Sequence, residues 1–447
     1  MTGTSAKHVP HKLLGFWTCL ALVVGTLVGS GIYGLPAQLA PFGWNALFGW
    51  LATIGGALCL AYIFAALARE LPRAAGPYAY AETAFGRPAA FAVAWSYWIS
   101  LWVGNAAIAV TAISYFSGAV PALGAPGVGA AASILLLWML TALNCFSLRA
   151  AGGFQLLTAI MKLIPLLLVV GIGAVVLGAG GEAVAGERFD AGTIELGQIN
   201  GAAAVTLWAL LGFEAAAWAS RNVRDPVRNI PRATIGGVLL VALLYLLVTT
   251  AMSLILPAAD LAGSEAPIAL FVERFWGSGA GIAIALFGAV SVTGALNGLV
   301  LLQGELPLAM ARDGAFPAWF ARLARNGRPV RAQIVSSLLT TLLILANGSA
   351  TLSGLFAFMA LLSTAAILVL YFVVALAAIE LQRRNLVPTR PALLAAAMFG
   401  TVYALWTFYG AGLEASGWAL VLIAAGLPVY IFARRQKVAP DDFPGAG

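Results

Sequence analysis

The sequence predicts an all-α polytopic membrane protein of about twelve transmembrane helices, and three observations carry that prediction. Of the 447 residues, 62% are hydrophobic and only 9% are charged. Soluble domains carry roughly 25% charge, so no water-soluble fold could hide this much apolar surface. Apolar runs of roughly 18 or more residues recur along nearly the whole chain, each able to cross a hydrocarbon core about 30 Å thick as a helix. The runs are continuously apolar rather than alternating over about ten residues, which selects helices over a transmembrane β-barrel.

In chain order, a tail over 1–13 precedes spans near 14–40, 44–70, 89–119, 126–147, 152–179, 199–220, 231–257, 278–310, 331–348, 350–381, 391–413 and 416–433, and a second tail covers 434–447. The connecting loops leave no room for a separate soluble catalytic domain. Lys7 and Lys12 ahead of the first run suggest a secretory signal, but the run is too long and further spans follow at once, so it reads as a retained first helix. The longest outer segments are 182–198 and 258–276, and the second holds a predicted short helix over Ala266 to Phe275.

Alternation of the spans puts 21 of the 24 Lys and Arg residues on the face that carries both termini, with Arg188 and Arg274 opposite and Lys162 inside a span. By the positive-inside bias both termini are cytoplasmic, in an inner membrane. The same distribution assigns the net charge of +7 to topology and excludes nucleic acid as the reason for it. Cys19, Cys59 and Cys145 lie singly in apolar runs without metal or disulfide spacing and read as packing residues. No motif calls for a metal or cofactor.

Two spans are interrupted. The first carries Gly29-Ser30-Gly31 near its middle and then Pro36, and the sixth carries Leu211-Gly212-Phe213 between Trp208 and Glu214. Glycines ease local unwinding, although small residues also serve plain helix packing. The interruptions fall in the first helix of each successive five-helix set, the pattern of a transporter built from inverted repeats with its substrate at the midplane. Unwinding exposes amides at one half-helix start and carbonyls at the other half-helix end. A substrate carboxylate would sit on the Ser30, Gly31 and Ile32 amides, and an ammonium on carbonyls near Trp208 to Leu211.

Two ionisable residues lie within the bilayer, Glu214 beside the second break and Lys162 in the fifth span. A charge there costs roughly 2.5 to 3.5 kcal/mol on insertion scales, which makes both candidates for function. A satisfied hydrogen bond for Glu214 and snorkelling for Lys162 are the plainer readings. Glu305 lies toward the inner end of its span, and both histidines precede the first span, so no membrane histidine can relay protons.

Other function classes fit less well. A channel would want a repeated filter or a ring of like charges. A membrane-embedded enzyme would want a nucleophile with its base or a metal cluster, and an ATP-driven pump a phosphate-binding loop; the sequence shows none of these.

The motifs resemble the amino acid–polyamine–organocation transporter superfamily. Gly29-Ser30-Gly31, the Gly76-Pro77-Tyr78-Ala79-Tyr80 loop with Phe85-Gly86, and Met310-Ala311-Arg312-Asp313-Gly314 are similar to that superfamily broadly. Trp208 to Pro231, with Gly212, Glu214, Asp225-Pro226 and Arg228, resembles its basic amino acid and polyamine antiporters, of arginine/agmatine type. The resemblance implies inverted five-helix repeats over 14–179 and 199–381, two peripheral helices over 391–433, alternating access and a frequent homodimer. It implies secondary transport of an amino acid or amine, by exchange or with protons.

Carried over by position, the substrate backbone would meet Ser30, Gly31, Ile32 and Leu211, and its side chain would face Ser100, Leu101, Asn105, Trp208, Leu299 and Ser363. Tyr97 stands as a candidate gate, and Trp208 could close the site over a cationic group. Packing is the plainer role for the aromatics of the third span, and helix-to-helix hydrogen bonding suits Asn105 and Ser363 equally. Three departures stand out. Leu299 replaces a tryptophan of arginine- and diamine-exchanging relatives, and Leu370-Tyr371 replaces Pro-Tyr. Lys162 resembles the fifth-helix lysine of proton-coupled and exchanging permeases, so it is expected to couple transport to protons or to stabilise the broken first helix.

Overall fold

The computed structural model describes residues 15–29, 31–71, 76–125, 127–146, 161–179, 185–186, 189–214, 223–348 and 350–435. Helices fill them: α1 Phe16–Leu27, α2 Gly31–Leu39, α3 Asn45–Glu70, α4 Pro77–Phe85, α5 Arg87–Ser117, α6 Val128–Phe146, α7 Leu163–Gly178 and α8 Leu196–Ala209. They continue as α9 Pro226–Ile255, α10 Ala258–Ala262, α11 Pro267–Trp276, α12 Ser278–Arg312, α13 Val330–Ala346, α14 Leu352–Arg383, α15 Pro391–Gly410, α16 Gly412–Ala424 and α17 Gly426–Arg435.

Among the described residues, eight helices are long and apolar enough to cross a membrane, the pair α16 and α17 counting as one. The pair α1 and α2 is bent by 44° and adds a ninth if read as one broken span. Shorter apolar helices, α7 and α13, occupy the fifth and ninth expected spans, and α8 occupies the start of the sixth. Among the described residues, each of the twelve expected spans therefore contains helix. The outer helix predicted over Ala266 to Phe275 is α11.

Which helices are central follows from what they bury. The most hydrophobic stretch of α5 is 94% buried, whereas that of residues Gly412–Arg435 is only 22% buried. In lipid, as in a core, a helix needs small residues or side-chain hydrogen bonds to let a neighbour approach, and α5 supplies both along its length. It lies between α12 and α14, while α3 lies between α8 and α9. Helices at equivalent positions of the two expected five-span sets touch: α2 with α8, α3 with α9, α5 with α12, and α6 with α13.

Local chemistry explains the end of α12. At the foot of α12 the Ala315 amide donates to the Met310 carbonyl at 2.8 Å and the Gly314 amide to that of Ala311 at 3.2 Å. With Gly314 at φ +71°, this is a Schellman stop, and it accounts for the Arg312-Asp313-Gly314 motif as a helix terminator. Cys145 donates from Sγ to Gln333 Oε1, and Cys19 sits in the apolar core.

Candidate functional site

Helix α1 stops at Leu27 and α2 starts at Gly31; α8 stops at Ala209, and residues 210–214 form turns. Gly212 has φ +112°, a conformation that a side chain strongly disfavours. The two interruptions meet. A Cβ on Gly31 would lie 2.6 Å from Ala209 Cα, and one on Gly212 would lie 3.5 Å from Thr26 Cβ. At Gly31 only a glycine lets the backbones come this close, whereas at Gly212 the contact is an ordinary one and it is the positive φ that calls for glycine. The Thr26 hydroxyl, which also reaches back to the Val23 carbonyl at 2.8 Å, lies 3.2 Å from the Gly212 carbonyl.

A broken helix leaves carbonyls without amides, and the structure supplies other partners. The Gly29 amide turns to the Leu27 carbonyl instead of that of Gly25. Lys162 is 2% exposed, and its Nζ donates to the Gly25 carbonyl at 3.4 Å. Tyr245 donates to the Leu27 carbonyl at 2.9 Å. Tyr33, in the second half of the broken helix, donates to the Lys162 carbonyl at 2.9 Å, and Tyr115 donates to the Tyr33 carbonyl at 2.8 Å. The lysine is thus bound to both halves of the break, by its ammonium and by its own backbone.

Glu214, 1% exposed, accepts from Tyr371 Oη at 3.0 Å. Its carboxylate is also hydrogen-bonded to Tyr97 and to the Gly212 amide. Phe213 stacks on Tyr371 at 5.0 Å, with Phe64 edge-on to both. The second break is therefore tied to α5 and α14 through one acid and two tyrosines. Tyr371 as the partner of Glu214 was not foreseen; the visible signal was a tyrosine deep in an apolar run.

Around the breaks, the Trp208 ring lies 3.1 Å from where a Gly104 Cβ would be and edge-on to Phe356 at 6.5 Å. Ile32 and Leu101 are buried, and Leu211 and Leu299 are half-buried. Ser363 donates to the Ser100 carbonyl at 2.8 Å, and the two hydroxyls are 2.9 Å apart, so this pair serves helix-to-helix bonding. Asn105 Nδ2 donates to Gln303 Oε1 at 2.7 Å. Asn105 Oδ1 and Trp208 Nε1 are buried with no protein partner. Ser30 lies outside the described residues, as do 152–160 of the fifth expected span and 215–220 of the sixth.

A separate cluster sits at the opposite end of the same helices. The Ser114 hydroxyl lies 2.6 Å from the Glu265 carbonyl and 2.8 Å from its carboxylate, which also receives the Ser353 amide at 3.4 Å. Gln38, on α2, donates to Ser353 Oγ at 2.9 Å. Cavities lined by Trp44, Trp50 and Thr249, and by Trp138, Cys145 and Arg325, lie away from the breaks.

The profile of the amino acid permease family matches residues 14–429. The chain is 32% identical over 395 residues to a putative arginine/ornithine antiporter of Bacillus subtilis, covering 82% of this chain and 83% of that protein. It is 32% identical over 338 residues to the cadaverine/lysine antiporter of Escherichia coli, covering 75% of each. It is 30% identical over 420 residues to the putrescine transporter PotE of Haemophilus influenzae, covering 92% of this chain and 94% of that one.

Proposed function

The chain belongs to the amino acid permease family and is a multi-pass secondary transporter of amino acids or related amines, not an enzyme; from that premise we propose that it exchanges a basic amino acid or its amine product at the junction of its two broken helices. The observation that carries the proposal is the meeting of the interruptions, with Gly31 against Ala209 and Gly212 against Thr26. There the amides of Ser30, Gly31 and Ile32 receive the substrate carboxylate, and the carbonyls near Leu211 its ammonium. Trp208, Leu101, Asn105 and Leu299 face the side chain, and Trp208 closes over it.

Contact between equivalent spans supports two inverted five-span repeats over 14–179 and 199–381, with 391–433 peripheral. Tyr97 with Glu214 and Tyr371 gates the inner side, and Lys162 links the cycle to protons through its hold on the first break. The protein works in the inner membrane with both termini cytoplasmic, as a homodimer. The relatives named as arginine/ornithine and cadaverine/lysine antiporters support exchange of cationic substrates.

The test is counterflow in liposomes. Purified protein is loaded with one labelled compound at a time and challenged with arginine, agmatine, lysine, putrescine, alanine and methionine. Trans-stimulation by cationic compounds is expected; uptake that no unlabelled compound on the far side accelerates rules out exchange.

A further inference from the structure

Asn105 is joined to a chain of buried groups that runs through three helices. Thr141 on α6 donates its single hydroxyl proton to the Leu137 carbonyl at 2.8 Å. Its oxygen can then only accept from Ser337 Oγ, 2.7 Å away, which commits the one proton of Ser337. Ser337 Oγ therefore accepts from Gln303 Nε2 at 3.0 Å. That turns Gln303 Oε1 toward Asn105, whose Nδ2 donates across 2.7 Å. With the Thr141 proton on the Leu137 carbonyl, each further bond in the chain has one sense.

The consequence falls at the far end. Asn105 is held by its Nδ2 and keeps a buried Oδ1 with no protein partner. Leu101 and Asn105 are an i,i+4 pair on α5, and Leu299 and Gln303 are one on α12, so each pair shares a helix face. Gly104, beside Asn105, abuts the Trp208 ring and Ser363. All four members of the chain are fully or almost fully buried, and a buried acceptor without a donor is costly unless something supplies one.

We propose that Thr141, Ser337 and Gln303 are positioning residues that orient the Asn105 amide so that its Oδ1 accepts from the substrate side chain, making this subsite select groups that donate N–H. The proposal rests on Asn105 as a substrate contact, and it adds the residues that set its polarity. A hydroxyl relay on α6 and α13 thereby determines specificity without touching substrate. Sites built around a hydrogen bond reject analogues that lack the group more strongly than apolar pockets reject extra bulk.

The experiment compares lysine with norleucine, which differ by the terminal ammonium alone, as subsaturating uptake rates in liposomes. Asn105→Ala is expected to lower the lysine-to-norleucine ratio about fivefold or more, the size of one hydrogen bond. Gln303→Met and Ser337→Ala are expected to lower it in the same direction, with Ser337→Thr, which keeps the hydroxyl, restoring it. Adding Gln303→Met to Asn105→Ala should lower it no further. If Asn105→Ala lowers the ratio while Ser337→Ala and Gln303→Met leave it unchanged, the relay is wrong and the substrate contact stands. If Asn105→Ala leaves it unchanged, the contact itself is wrong. Equal losses for both substrates in the relay variants would show a structural role only and overturn the proposal.

Discussion

At the residue scale, Lys162 is the clearest case of a charge with a reason to be in lipid. An isolated ammonium there is unfavourable by a few kcal/mol, and this one faces the carbonyl that the first break leaves without an amide. Lys162→Ala removes that partner, and uptake is expected to fall at least about tenfold and to lose its dependence on external pH. Equal uptake by variant and wild type from mildly acidic to mildly alkaline pH would sink the coupling role. Gly31 makes a different demand. A valine there would drive its side chain into Ala209 backbone, and overpacking of about 1–3 kcal/mol must separate the breaks. Gly31→Val should insert normally but fail to transport, whereas Gly25→Val, where a Cβ meets nothing within 4 Å, should transport at near wild-type rates. Matching rates for both variants would show that the contact is dispensable.

At the scale of elements, the first break was legible as a glycine pair in a long apolar run, and the second as a lone glycine beside Glu214 at the corresponding place in the second set of spans. What ties them was not, since the ties are long-range: Tyr33 to Lys162 spans 129 residues and Tyr371 to Glu214 spans 157. Composition cannot pair side chains so far apart. The cluster around Glu265 is equally hidden in the sequence, and it has a mechanical meaning. Gln38 hydrogen-bonds α2, half of a broken helix, to Ser353 of α14, beside the packing of Gly34 on Phe356, and Glu265 fastens the segment before α11 to α5 and α14. If α2 must leave α14 for substrate to enter from outside, Gln38→Ala should favour that opening. In a protein with Cys19, Cys59 and Cys145 replaced, the variant Phe356→Cys should react with an impermeant thiol reagent added outside about three times faster when Gln38→Ala is also present, the effect of one weak hydrogen bond. An unchanged rate would mean that the link does not restrain opening.

At the scale of the whole molecule, the sequence pattern conveyed an all-helical chain of many apolar spans, because hydrocarbon thickness imposes a minimum length on each. Orientation rests on charge alone, while the packing bears on which helix ends share a face. Helix ends can touch only if they lie on the same face. Glu70, closing α3, pairs with Arg390 at the start of α15 at 2.9 Å. Arg328 bridges to Glu305 near the foot of α12 at 3.4 Å and donates from Nε to the Asn144 carbonyl near the end of α6 at 3.1 Å. Alternation assigns every one of these ends to the basic face, and assigns Gln38, Ser114, Glu265 and Ser353 to the other. Two sets of contacts, each among ends that alternation puts on one face, agree with that alternation, and the positive-inside bias makes the basic face the expected inner one. Alkaline phosphatase fused after Gly124, Gly263 or Asn347 should therefore be active, and fused after Gly86, Gly314 or Leu386 inactive, since the enzyme needs the oxidising outer compartment to form its disulfides. The reverse pattern would place the termini outside and turn the Lys162 and Gln38 arguments to face the opposite compartments; a mixed pattern would mean that a span has been miscounted between the two fusions that disagree.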